Sequence, residues 1–121
     1  MTTTTDFEIV DAGRRGRTAV LRLRGRLDAG TAPTLLERCA QVQAQGQNLV
    51  LNLEAISFLG SSGIGAMLVL VEQFQEQAGV VRFAALSEPA RAVVELLDLG
   101  QYLTIHATEE EALAAIDAQA P

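Results

Sequence analysis

A mixed α/β fold is predicted for this chain: a sheet that opens with a β-hairpin and continues through parallel βα units, with helices packed on it. Three observations predict it. Two short β-type segments joined by Gly13-Arg14-Arg15-Gly16 stand near the start. After them, apolar runs of strand length alternate with amphipathic stretches of helical period. Glycine, serine and threonine fall at the joins, where turns and helix caps need them.

Phe7 to Ala12 reads as the first strand and Arg17 to Arg24 as the second, with Ala19, Leu21 and Leu23 on one face and Arg22 and Arg24 on the other. Gly25 to Gly30 reads as a loop. Thr31 with Pro33 opens a helix to about Ala44, striped by Leu35, Cys39 and Val42 and ended by Gly46. Leu49 to Leu53 is a near-continuous apolar run, as in a strand covered on both faces. A short loop then leads to Gly60-Ser61-Ser62-Gly63, a turn that opens a helix carrying Ile64, Met67, Leu68, Val71, Phe74 and Ala78, with Gly79 as its stop. Val80 to Leu86 is the next strand. Ser87 caps a third helix whose Val93, Leu96 and Leu97 are expected to face inward until Gly100. Tyr102 to His106 is the last strand, and Thr108-Glu109-Glu110-Glu111 is a capping box for a final helix that buries Leu113 and Ile116. The order is ββαβαβαβα. No linker divides residues 1–121, so a single domain is expected.

Composition narrows the function. Apolar residues make up 49% and charged residues 20%, a globular balance, with aromatics at only 4%. A net charge of −6 and scarce aromatics argue against nucleic acid, which needs clustered positive charge or stacking rings. Six arginines (Arg14, Arg15, Arg17, Arg22, Arg24, Arg26) crowd the hairpin, while only acids follow Arg91. That asymmetry reads either as two solvated ends or as a polarised surface that orients a partner. Cys39 is alone on an apolar stripe, which suggests a buried small hydrophobe in a reducing compartment. Met1 to Asp6 is polar, without the apolar core of a signal peptide. No run approaches the ~18 apolar residues of a membrane span. A cytoplasmic protein without cofactor or metal is the expectation.

The chemistry concentrates at Gly60-Ser61-Ser62-Gly63-Ile64. A nucleophile elbow requires Gly-x-Ser-x-Gly, and here the glycines stand one residue too close. The one candidate base, His106, reads as a solvated strand-end residue. Gly60-x-x-Gly63-x-Gly65 matches neither dinucleotide fingerprint nor P-loop, and the chain has no lysine to reach a phosphate. The remaining readings are a serine that caps the helix and a serine that accepts a phosphate at the helix N-terminus. On spacing alone, the cap is the simpler.

Gly25-Arg26-Leu27-Asp28, Thr31-Ala32-Pro33-Thr34-Leu35, Leu51-Asn52-Leu53, Phe58-Leu59-Gly60-Ser61-Ser62-Gly63-Ile64-Gly65 and Ala107-Thr108-Glu109-Glu110-Glu111-Ala112-Leu113 together resemble the STAS domain. More closely, they resemble the small single-domain anti-sigma factor antagonists. The resemblance spans nearly the whole chain and implies a non-enzymatic regulator that works by partner switching. Unphosphorylated, such a protein binds an anti-sigma factor that is also a serine kinase, and a sigma factor is released. Phosphorylation reverses this, and a serine phosphatase resets it. The resemblance makes Ser61 the acceptor. It implies a partner-binding face of Asp28, Gly60, Ser61, Ser62, Gly63 and Ile64. The family motif usually has Asp directly before the acceptor, where this chain has Gly60; that removes a local carboxylate and adds backbone freedom. The alternative is a STAS binding subunit of a transport or signalling complex that serine phosphorylation does not control.

Overall fold

A computed structural model describes residues 7–119; the polar Met1–Asp6 stretch lies outside the described residues. The elements are β1 (Phe7–Arg15), β2 (Thr18–Leu27), α1 (Ala32–Ala44), β3 (Asn48–Leu59), α2 (Ser61–Gln75), β4 (Val81–Ala84), α3 (Glu88–Leu96), a 3-10 turn (Leu99–Gln101), β5 (Ile105–His106) and α4 (Glu109–Gln119). They form one five-stranded sheet in the order β1-β2-β3-β4-β5. β1 and β2 are antiparallel, and every later pairing is parallel. The predicted mixed sheet and element order are therefore present.

Period-2 alternation divides the strand side chains between two cores. Leu49, Leu51 and Leu53 join Leu21, Leu23 and Phe83 under α1, α2 and α3, where Leu35, Cys39, Met67, Leu70, Phe74, Ala90 and Val94 meet them. Val20, Val50 and Ala84 point the other way, onto Ala112, Leu113 and Ile116 of α4. Cys39 is buried, and burial pushes its thiol up to about 12 against the opposing charge of Arg38. It is an inert filler, as its stripe position predicts.

Several boundaries differ from the sequence reading, each for a physical reason. β2 runs to Leu27 and β3 to Leu59, through segments read as loops. Their pairing shifts twice: Arg22 and Arg24 pair with Asn52 and Ala55, and Gly25 and Arg26 with Ile56 and Phe58. Each shift adds a residue to β3, a β-bulge. Leu53, Ile56 and Leu59 consequently all point into the core at a spacing of three, which does not look like a strand.

The second helix ends at Gln75, and the left-handed residue is Ala78 (φ 59°) rather than Gly79. The Gly79 amide donates to the Phe74 carbonyl (2.8 Å) and the Ala78 amide to that of Gln75 (3.0 Å), the Schellman pattern. Ala78 is exposed, not part of the apolar stripe. In α3 the buried pair is Ala90 and Val94, whereas Leu96 is 83% and Leu97 53% exposed. Left-handed Asp98 turns the chain there, and Leu99 and Leu103 cover the core instead. Only Ile105–His106 of the last predicted strand pairs, because the 3-10 turn takes up the residues before it. The predicted caps are present: Ser87 Oγ accepts from the Ala90 amide (3.2 Å) and Thr108 Oγ1 from the Glu111 amide (3.1 Å).

Candidate functional site

β2 and β3 finish in register, Leu27 opposite Leu59, so Asp28 and Gly60 leave the sheet side by side. The Gly60 amide donates to the Leu27 carbonyl at 2.9 Å, and the Ile64 amide to the Gly60 carbonyl at 3.0 Å, which starts α2. Gly60 is the N-cap and has no side chain to cap with. Ser61 and Ser62 occupy the first turn, both exposed. The capping role weighed for these serines is therefore not the one they play. By helix geometry the amides of Ser61, Ser62 and Gly63 have no intrahelical acceptor, and they make this end electropositive.

Gly63 is buried because nothing larger fits. A Cβ there would stand 2.7 Å from Leu27 Cγ, 2.8 Å from the Leu27 carbonyl oxygen and 2.9 Å from Leu59 Cδ1. Its absence lets α2 begin hard against the ends of both strands. Ile64, also buried, anchors the turn in the core.

The Asp28 loop is built by Thr31. Its hydroxyl donates to the Arg26 carbonyl (2.7 Å) and accepts from the Asp28 amide (2.9 Å). The Asp28 carbonyl accepts from the Ala32 amide (2.8 Å), and Asp28 Oδ1 accepts from the Gly30 amide (3.0 Å). The other carboxylate oxygen lies 3.5 Å from Arg26 Nε. Two residues that sequence reasoning did not single out complete the site. The Arg26 guanidinium lies 4.2 Å from the centroid of the Phe58 ring, and Phe58 is 39% exposed. A Cβ on Gly60 would come 3.0 Å from Phe58 Cε2, so this ring lies close to where a side chain at 60 would start. The structure thus brings Asp28, Gly60, Ser61, Ser62, Gly63 and Ile64 to one end of the sheet, with Arg26 and Phe58 beside them.

The remaining candidates lie elsewhere. His106 is on β5, with β4 between it and β3, and its Nε2 is buried with no partner among the described residues. The residue is half-buried rather than fully solvated, and it does not adjoin the serine turn. Among the described residues no group of three or more His, Cys, Asp or Glu could hold a metal, and no helix is long and apolar enough to cross a membrane. A cleft of about 570 Å³ lies at the opposite strand ends, lined by Thr18, Asn48 and Val80.

Part of the charge asymmetry is spent within the molecule. Arg22 grips Glu109 with two hydrogen bonds of 2.7 and 2.9 Å, and Asn52 Nδ2 adds a third at 2.6 Å. Arg15 meets Glu110 at 3.0 Å and Asp117 at 3.4 Å. Arg22 first, against a burial cost and with help from Asn52, holds the Glu109 carboxyl below the usual carboxylate range. Through Arg15 and Arg22 the basic hairpin thus clasps the acidic helix.

Known proteins match this arrangement. The model of the STAS domain matches residues 10–112. The anti-sigma F factor antagonist of Lysinibacillus sphaericus is 32% identical over 98 residues, covering 79% of this chain and 83% of that protein. An anti-sigma factor antagonist from Mycobacterium paratuberculosis superposes with a TM-score of 0.81 at 25% identity, over 96% of this chain and 99% of that one. The Bacillus cell fate determinant SpoIIAA in its phosphorylated form superposes with a TM-score of 0.65 at 29% identity, over 91% and 98%. With most of its length matched and its sheet order and serine turn in place, this chain belongs to the STAS domain family.

Proposed function

We propose that this protein is a non-enzymatic, cytoplasmic anti-sigma factor antagonist controlled at Ser61. Unphosphorylated, it captures an anti-sigma factor with serine kinase activity on the face made by Asp28, Gly60, Ser61 and Ser62, which buried Gly63 and Ile64 support from beneath, and a sigma factor is released. The kinase then phosphorylates Ser61 and ends the capture; a serine phosphatase restores it. The observation that carries this reading is an exposed serine in the first turn of α2 that performs no capping, set beside an ordered aspartate loop. The names of the relatives support it, and one of them was solved phosphorylated.

The physics of the turn favours an off-switch that spares the fold. A phosphate adds about −2 charge and three acceptor oxygens. The free amides and dipole of α2 receive such a charge favourably, by ~0.3–1 kcal/mol. Gly60 places no carboxylate next to it. A partner packed on the same turn would have to desolvate a dianion, at far greater cost.

Incubation with the cognate kinase and ATP should add one phosphate, and peptide mass spectrometry should place it on Ser61 rather than Ser62. Ser61→Ala should bind constitutively; Ser61→Asp should fold normally and bind weakly. If no phosphate is found and Ser61→Asp binds as well as the wild type, the antagonist reading fails, and a STAS module that works without this switch remains.

A further inference from the structure

Phe58 points out of the sheet on the side that α4 covers, but beyond the reach of α4. That helix packs on Val20, Val50 and Ala84, toward the opposite strand ends. The outward row of β2 changes character along this face. Arg22 is held by Glu109 through two hydrogen bonds, from Nε and Nη2. Among the described residues Arg24 meets only the carboxylate of Glu8, at 3.9 Å, and Arg26 only that of Asp28, at 3.5 Å; their side chains are 73% and 49% exposed. Both guanidiniums keep unfilled donor capacity. Arg26 spends its flat face on Phe58, and the same ring abuts Gly60.

We propose that the partner-binding face continues from the serine turn onto this open sheet surface, and that Phe58 with Arg26 stacked on it is its anchor. Its occupant is a protein whose docking surface offers an apolar recess edged by carboxylates. The recess takes the ring edge, and the carboxylates take the outward donors of Arg26 and Arg24. Aromatic and arginine side chains carry a disproportionate share of interface energy when desolvated together. Here the stack holds the arginine in place before binding, which reduces the ordering cost of the contact. This inference rests on the reading of the neighbouring turn as the anti-sigma factor's docking site, and it names the chemistry that partner must present.

Calorimetric titration of the unphosphorylated full chain with its cognate anti-sigma factor tests it. Phe58→Ala and Arg26→Glu should each weaken binding about tenfold or more. In a double-mutant cycle, Phe58→Ala with Arg26→Ala should cost less than the two single changes together, because they dismantle one anchor. Phe58→Leu keeps apolar bulk over Gly60 and is the variant to measure if Phe58→Ala melts too low; it too should weaken binding. Wild-type affinity in folded Phe58→Leu and Arg26→Glu, with binding still lost in Ser61→Asp, would overturn the anchor and leave the switch standing. A wild type that binds no anti-sigma factor would overturn both. A concentration-dependent dimer abolished by Phe58→Ala would assign the patch to self-association and overturn the anchor.

Discussion

Gly63→Ala and Gly65→Ala are chemically identical changes two residues apart in α2, yet their effects should have opposite signs. A methyl group at 63 meets three atoms within 3.0 Å, one of them the Leu27 carbonyl oxygen that accepts the Gly60 amide. Leu27 is fully buried, and its main chain is fixed by pairing with Leu59, so the helix must move instead. Overpacking of this kind costs ~1–3 kcal/mol. Loss of the Gly60–Leu27 hydrogen bond adds ~1 kcal/mol, and replacing a helical glycine returns ~1 kcal/mol. The net is about 2 kcal/mol of destabilisation. At ~2.1 cal/mol/K per residue, a chain of 121 residues loses about 4 °C per kcal/mol, so Tm should fall by ~8 °C. At 65 a Cβ meets nothing within 4 Å. Only the backbone term of ~0.5–1 kcal/mol remains, and Tm should rise by ~2–4 °C. Thermal melts with urea titrations would check both, an unchanged urea slope showing that stability rather than denatured-state compactness has changed. A Gly63→Ala protein as stable as the wild type would refute the claim that close approach, rather than turn conformation, requires this glycine.

Two further outcomes follow from contacts in the Asp28 loop and at the start of α4. Thr31→Val removes the hydroxyl that joins the Arg26 carbonyl to the Asp28 amide; it should cost ~1–2 kcal/mol and speed amide exchange at Asp28, measured by hydrogen exchange. Glu109 is held below its ordinary value chiefly by Arg22, so its contribution to stability is present above pH ~4.3 and lost as pH falls through the lowered folded value. The wild type should therefore lose more Tm between neutral and acid pH than Glu109→Gln does, and parallel profiles would count against the clasp.

The fold was legible because its periodicities are plain: Leu49, Leu51 and Leu53 mark a doubly covered strand, and Ser87 and Thr108 mark helix starts that the structure retains. The site was legible only in part. Asp28 and Gly60–Ile64 were found through motif resemblance, whereas the roles of Arg26 and Phe58 stayed hidden, Arg26 in a stretch read as a loop and Phe58 behind the bulges of β3. With Leu53, Ile56 and Leu59 all inward, the segment shows neither period 2 nor a helical face, and Phe58 cannot be assigned a direction from sequence. The misplacement of Leu96 and Leu97 has a different origin. Apolar residues at the end of an amphipathic pattern extend it on paper, but a left-handed Asp98 stops the helix and swings the chain away. Likewise, charge runs far apart in sequence gave no hint of the Arg15–Glu110 and Arg22–Glu109 pairs that join them.

That clasp has a consequence in time as well as in space. Arg15 and Glu110 are 95 positions apart, and Arg22 and Glu109 are 87. A chain made at ~5–20 residues per second completes β2, β3 and β4 well before α4 exists. During that interval α1, α2 and α3 can already close over one side of the sheet, while Val20, Val50 and Ala84 wait bare on the other. The acidic first turn of α4 then arrives opposite arginines already held in a row by the hairpin, and attraction draws it on before its few apolar residues touch. A fragment ending just short of Glu109 would therefore display a sheet covered on one side and adhesive on the other. The sheet is most open to association in the interval between the completion of β4 and the arrival of α4.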